Sequence, residues 1–257
     1  MKSFNKRLAT QLAYFSQLAY TPKSNINYEL TEFGIIHLED KETDTQGFIA
    51  IDDKNLFIVF RGTTNLKDWR TNLNTNFGGW EVAENTLTAH EGFLKAYNSV
   101  KDKIHNVIID NPSKEVHITG HSLAGSLANL CAVELFLNKD VRLGGLYTFG
   151  SPRVFDSASA AHLNSILKGI HFRFVNNNDI VPHLPPEASD FSHWGRLMYF
   201  RESGALQEDE ELSWWERIQY AAEGILGDIG EIGVDSVKDH DGAYYQKLLE
   251  KTLTSTK

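Results

Sequence analysis

The stretch 115–138 constrains this chain more than any other. Glu115, Val116, His117, Ile118 and Thr119 read as a short strand. Gly120-His121-Ser122-Leu123-Ala124-Gly125 follows at once, and an apolar helix is expected over 123–138. A strand that turns sharply into a helix around a serine with small neighbours is a nucleophile elbow. A serine hydroxyl is a weak nucleophile and must stand clear of the backbone to meet both a base and a carbonyl carbon. The usual fifth position of such a turn is glycine; here it is Ala124, with Gly125 next. The competing reading of Ser122 is a helix N-cap.

The flanking pattern builds a sheet around the elbow. The wholly apolar run 56–60 reads as a strand covered on both faces. Runs 143–149 and 170–175 read as further strands, with a helix over 157–168 between them. Residues 32–38 and 47–52 look like antiparallel meander strands, 90–109 like one helix ended by Asn111-Pro112, 196–200 like a late strand and 244–249 like a late helix. The order β-α-β-α-β over 115–179 predicts an α/β fold with a mostly parallel central sheet and helices on both faces. In such sheets the site lies at the carboxyl ends of the strands. Ser122, Gly150-Ser151 and Asp179 each follow a strand end.

With 257 residues and 41% apolar side chains, the chain can form one large domain, and no linker or repeat divides it. A net charge of −9 argues against nucleic acid as a partner and against docking on anionic lipid by charge alone. Near the amino end, Phe4, Leu8, Leu12, Phe15 and Ala19 recur at helical spacing, and Thr10, Gln11, Ser16 and Gln17 interrupt any signal-peptide core. No apolar run is long enough for a transmembrane segment. The single cysteine, Cys131, lies in the apolar helix and reads as core. These features suit a cytoplasmic protein, or one exported without a classical signal peptide.

In this fold class an acid and then a histidine follow the serine. Asp179 ends the run Asn176-Asn177-Asn178-Asp179 after a strand and is favoured as the acid; Asp156 and Asp190 follow strand ends less directly. His183, His193 and His240 lie beyond it. His183 is only four residues on, and His193 precedes a strand and reads as structural. His240, in Lys238-Asp239-His240-Asp241 ahead of the last helix, is the favoured base. His121 reads as support for the elbow. An oxyanion hole needs donors such as the backbone N–H of Leu123 and a group at an earlier strand end. Thr63, in Arg61-Gly62-Thr63-Thr64, is placed to offer its N–H and hydroxyl.

Ile58-Val59-Phe60-Arg61-Gly62-Thr63-Thr64, His90-Glu91-Gly92-Phe93, the elbow, Thr148-Phe149-Gly150-Ser151-Pro152-Arg153, the segment from Val175 to Pro182, and Asp239-His240 occur in the order found in class 3 lipases, which this sequence resembles over about residues 10–250. The resemblance implies an α/β-hydrolase fold with Ser122, Asp179 and His240 as its triad, Thr63 and Leu123 at the oxyanion hole, and no metal or organic cofactor. It also implies a short lid helix after Thr63, where Leu66 and Trp69 share one helical face and could cover the pocket or touch lipid. The sequence departs from the fungal members in lacking a clear signal peptide and disulfides, which argues against extracellular fat digestion, and in carrying Ala124 where glycine is usual; it resembles a bacterial-type member of the family.

The expected activity is acylglycerol hydrolysis, with a lipid or small ester as substrate and transient contact with a lipid interface. Phospholipase A1, short-chain esterase and feruloyl esterase activity are alternatives, as is an inactive hydrolase scaffold used for binding. Gln207 to Glu211 reads as an acidic loop. Trp215, Ile218, Ala222, Ile225 and Ile229 keep helical spacing within 213–237. They suit either a core helix that delivers His240 or an interfacial helix.

Overall fold

A computed structural model describes residues 3–63, 75–138, 141–177, 179–208 and 240–254. The first helix, α1 (Lys6–Leu18), begins where the Asn5 side chain accepts the Leu8 N–H at 3.1 Å. This cap satisfies one of the donors that every helix start leaves open. Helix α2 (Lys23–Glu29) is short. Strands β1 (Gly34–Asp40), β2 (Thr45–Ile51) and β3 (Asn55–Phe60) then form an antiparallel meander.

From β3 the sheet becomes parallel. It runs through β6 (Glu115–His121), β7 (Leu143–Phe149), β9 (His171–Asn176) and β11 (Arg196–Phe200), each paired in parallel with the one before. Strand β12 (Leu206–Glu208) closes the far edge antiparallel, so Gln207 and Glu208 belong to a strand and not to the expected loop. The full order is β1-β2-β3-β6-β7-β9-β11-β12. This is the mostly parallel α/β sheet expected. Its register brings Phe60 beside Gly120, His121 beside Phe149, and Phe149 beside Phe174. The carboxyl ends of four strands therefore meet at one edge.

Side chains alternate across a strand, so each strand feeds two cores. Ile58 and Phe60 of β3 join Ile118 and Leu146 on one face. That face is covered by α3 (Glu91–Asn98), α4 (Lys101–Ile109), α5 (Leu123–Leu137) and α6 (Ser157–Leu167). Phe57 and Val59 join Phe149, Phe172, Phe174 and Phe200 on the other, under α1 and α7 (Gly242–Thr254). Each fully buried side chain of this kind contributes about 1.5–3 kcal/mol. Helix α5 is buried nearly all round, Cys131 included, which explains its lack of a polar stripe.

Two features depart from the sequence reading. The single helix expected over 90–109 is two, α3 and α4, separated at Ser99 and Val100. The Ser99 hydroxyl donates back to the Ala96 carbonyl at 2.8 Å and also meets Thr43 at 2.9 Å, so it holds the turn between them. A second, antiparallel sheet was not expected: β4 (Phe77–Val82), β5 (Asn85–His90), β8 (Phe155–Asp156) and β10 (Phe191–Ser192). Among the described residues, no helix is long and apolar enough to cross a membrane.

Candidate active site

Ser122 sits between β6 and α5 with φ 60° and ψ −135°. A non-glycine residue held there costs about 1–3 kcal/mol and persists only where its surroundings fix it. They do so here. The Ser122 N–H donates to the Phe149 carbonyl at 2.9 Å, and its carbonyl accepts from Gly125 at 2.8 Å. A Cβ on Gly120 would lie 2.3 Å from the Ala124 carbonyl oxygen, and one on Gly125 would lie 2.5 Å from the Ser151 Cβ. The steric demand of the turn thus falls on positions 120 and 125. Ala124 is fully buried and its methyl belongs to the core.

Asp179 follows the end of β9 and is wholly buried. Its Oδ1 accepts from the Val181 N–H at 2.9 Å. His240, just ahead of α7, brings Nδ1 to 2.9 Å from both carboxylate oxygens. A carboxylate can only accept here, so Nδ1 carries a hydrogen, and in the neutral ring Nε2 presents a lone pair. Among the described residues, neither His240 Nε2 nor Ser122 Oγ has a hydrogen-bond partner, although both are buried. Gly150 separates these groups from β7: its φ is +57°, and a Cβ there would lie 2.6 Å from Asp179 Oδ2 and 3.0 Å from His240 Nδ1.

Tyr245, which the sequence reading passed over, completes the acid's surroundings. From α7 its hydroxyl donates to Asp179 Oδ2 at 2.6 Å and accepts the Asn176 N–H at 2.9 Å. Its position five residues after His240, ahead of Leu248 and Leu249 on a helix, looks in sequence like an ordinary apolar face. His121 is also more than local support. Its Nε2 lies 2.6 Å from the His240 carbonyl oxygen, and its Nδ1 lies 3.0 Å from the Tyr20 hydroxyl. Burial, reinforced by neighbouring His240, lowers the His121 pKa to about 3 and keeps the ring neutral.

Thr63 lies just beyond the end of β3, half-buried, after Gly62. A Cβ on Gly62 would lie 2.8 Å from the His121 carbonyl oxygen, so this loop runs against the elbow. Leu123 occupies the first position of α5, where a backbone N–H has no acceptor within its helix. The remaining candidates have other work. Asp156 caps α6 by accepting the Ser159 N–H at 2.7 Å, and Asp190 closes a left-handed turn. His193 Nε2 donates to the Pro182 carbonyl at 2.6 Å. The His183 carbonyl accepts from Arg153. Leu66, Trp69 and the segment 213–237 lie outside the described residues.

Comparison with known proteins places this geometry in context. Residues 57–189 match the family described as lipase (class 3). A lipase of Rhizomucor miehei is 38% identical over 170 residues, covering 62% of this chain and 46% of that protein. The secreted mono- and diacylglycerol lipase A of Penicillium cyclopium is 35% identical over 160 residues, covering 59% of this chain and 50% of that protein. The chain therefore spans about half the length of these relatives. Both are fungal and lend no support to a bacterial-type member. The solved structure of a triacylglycerol lipase whose catalytic centre is described as a serine protease triad superposes with a TM-score of 0.72 at 27% identity, covering 87% of this chain and 94% of that one.

Proposed function

The chain belongs to the class 3 lipase family, and from this premise we propose that it is a serine carboxylic ester hydrolase acting on acylglycerols. The observation that carries the reading is the buried Asp179–His240 pair with an unpartnered Nε2, together with a buried Ser122 in a strained conformation whose Oγ is likewise unpartnered among the described residues. In this reading Ser122 Oγ attacks the ester carbonyl carbon as His240 Nε2 takes its proton. Asp179 holds the Nδ1–H tautomer and stabilises the imidazolium that forms. The Leu123 N–H and the N–H and hydroxyl of Thr63 stabilise the oxyanion. His240 then gives its proton to the departing alcohol, and a water molecule releases the acyl group by the same steps.

The acylglycerol class is favoured by relatives that are named as lipases, one of them for mono- and diacylglycerols. The resemblance to class 3 lipases also assigns Leu66 and Trp69, which lie outside the described residues, to a cover that would meet lipid at an interface. Labelling with a fluorophosphonate tests the chemistry. Wild type is expected to label and the Ser122→Ala variant to remain unlabelled; a folded wild type that fails to label removes the enzyme reading. Nitrophenyl esters of rising chain length, compared with triolein and phosphatidylcholine, then test the substrate. A strict preference for two- to four-carbon acyl groups would contradict an acylglycerol lipase.

A further inference from the structure

Three loops must hold still for the proposed reaction: the one carrying Thr63, the one carrying Ser122 and the one carrying His240. One pair of side chains touches all three. The Tyr20 hydroxyl stands just after α1 and fills the space that a Cβ on Gly62 would need, 2.1 Å from that position. Across from it, the hydroxyl meets His121 Nδ1 at 3.0 Å. The other ring nitrogen meets the His240 main-chain carbonyl at 2.6 Å. The two histidine rings lie 4.7 Å apart.

We infer that Tyr20 and His121 form a neutral positioning relay that sets where His240 stands relative to Ser122, making the segment after α1 part of the reaction's framework. This rests on the ester-hydrolase reading of Ser122 and His240. The direction of the relay follows from the groups in it. A carbonyl only accepts, so His121 Nε2 carries the hydrogen. A neutral ring then has its lone pair at Nδ1, and Tyr20 donates to it. A charged ring would have two donors and no acceptor, and the tyrosine hydrogen would be left with the more distant His121 carbonyl oxygen, at 3.4 Å. Burial opposes that charged form.

Nearby packing leaves the ring little room to turn. A Cβ on Gly242, the first residue of α7, would lie 3.3 Å from the His121 ring and 2.4 Å from Gln17 Oε1 of α1. The Ser16 and Thr119 hydroxyls, 2.8 Å apart, fasten α1 to the strand that leads into the elbow. His121 touches no reacting atom in this arrangement. Its effect on the reaction passes through the backbone of His240, and the effect of Tyr20 passes through His121.

Four variants separate positioning from bulk stability: Tyr20→Phe, His121→Phe, His121→Gln and the double variant Tyr20→Phe/His121→Gln. A glutamine can place an amide N–H near the lost Nε2–H. With a soluble nitrophenyl ester, His121→Phe is expected to lower kcat by about tenfold to a hundredfold with KM within about twofold, the scale of a misplaced catalytic group. His121→Gln is expected to recover most of that loss. Tyr20→Phe is expected to cost kcat on the wild-type background and to add little in the double variant. If folded His121→Phe and Tyr20→Phe retain wild-type kcat, or if glutamine does no better than phenylalanine, the relay is wrong. Nitrogen NMR of the histidine rings gives a readout independent of turnover. His121 is expected as the neutral Nε2–H tautomer at pH 6, with the His240 ring signals moved in Tyr20→Phe. An Nδ1–H or charged His121, or an unmoved His240, overturns the relay even if the chain hydrolyses no ester. Failure of wild type to react with a fluorophosphonate, by contrast, counts against the enzyme reading alone.

Discussion

At the scale of single residues, Asp179 is the group whose surroundings are most demanding. It is buried without any exposure and is met by the Val181 N–H, the His240 imidazole and the Tyr245 hydroxyl. Removing one donor leaves carboxylate lone pairs unsatisfied in a dry site, and a hydrogen bond to a charged group is worth about 1.5–3 kcal/mol. Tyr245→Phe is therefore expected to lower both thermal stability and kcat, the latter by about tenfold if most of that loss is felt by the base. Steady-state kinetics beside a melting curve checks this; unchanged kcat in a folded variant would show that the acid does not need its third donor. Ser122 and Asp179 are legible in sequence because each follows a strand end, and His240 because the proposed chemistry requires a histidine after the acid. Tyr245 is not, because its contact crosses from α7 to the end of β9, and no local pattern records that meeting.

The elements explain why an imperfect motif still makes a tight turn. Ala124 stands where glycine is usual, but the close approaches in β6 and α5 involve Gly120 and Gly125. Its methyl is fully buried in the core. Ala124→Gly is expected to destabilise the fold by about 1–2 kcal/mol, from lost helix propensity and one lost buried methyl group. It brings no gain in kcat, and denaturant titration beside ester kinetics measures both effects. A faster enzyme would mean that the methyl crowds the nucleophile. Strands β3, β6, β7 and β9 were readable because apolar runs between turn residues carry their own signal. The break between α3 and α4 was not, since a serine whose hydroxyl meets Ala96 and Thr43 looks in sequence like any polar residue on a helix. The β4–β5 hairpin was hidden for a related reason. Gly78 and Gly79 dilute its alternation, and its partner strands β8 and β10 are only two residues long.

At the scale of the whole molecule, burial of neutral histidines ties stability to pH. Burial lowers the His121 pKa to about 3 and, helped by Arg153, the His183 pKa to about 4, from an ordinary 6.5. His171 and His193 are also held well below the ordinary value, first by burial and then by Arg173. Below pH about 6.5 the unfolded chain binds protons that the folded chain refuses, so stability falls as pH falls. Each of these histidines contributes up to about 1.4 kcal/mol per pH unit until its own folded value is reached. Their contribution is complete above about 6.5 and erodes steadily toward pH 4. Urea midpoints measured from pH 8 to pH 4 should decline throughout the lower half of that range. A flat profile would mean that these rings take up protons in the native state.

The pairing of α1 with α7 has a consequence in time as well as in space. These helices cover one face of the sheet together, and the loop entering α7 carries His240. A chain emerging from the ribosome can build β3, the elbow and Asp179 long before that loop exists. The nascent protein then holds a formed serine turn without His240, the proposed base, which arrives only when α7 folds back upon α1. On the proposed mechanism, no ester could be cleaved until synthesis has passed α7, a delay provided by the order of the chain alone.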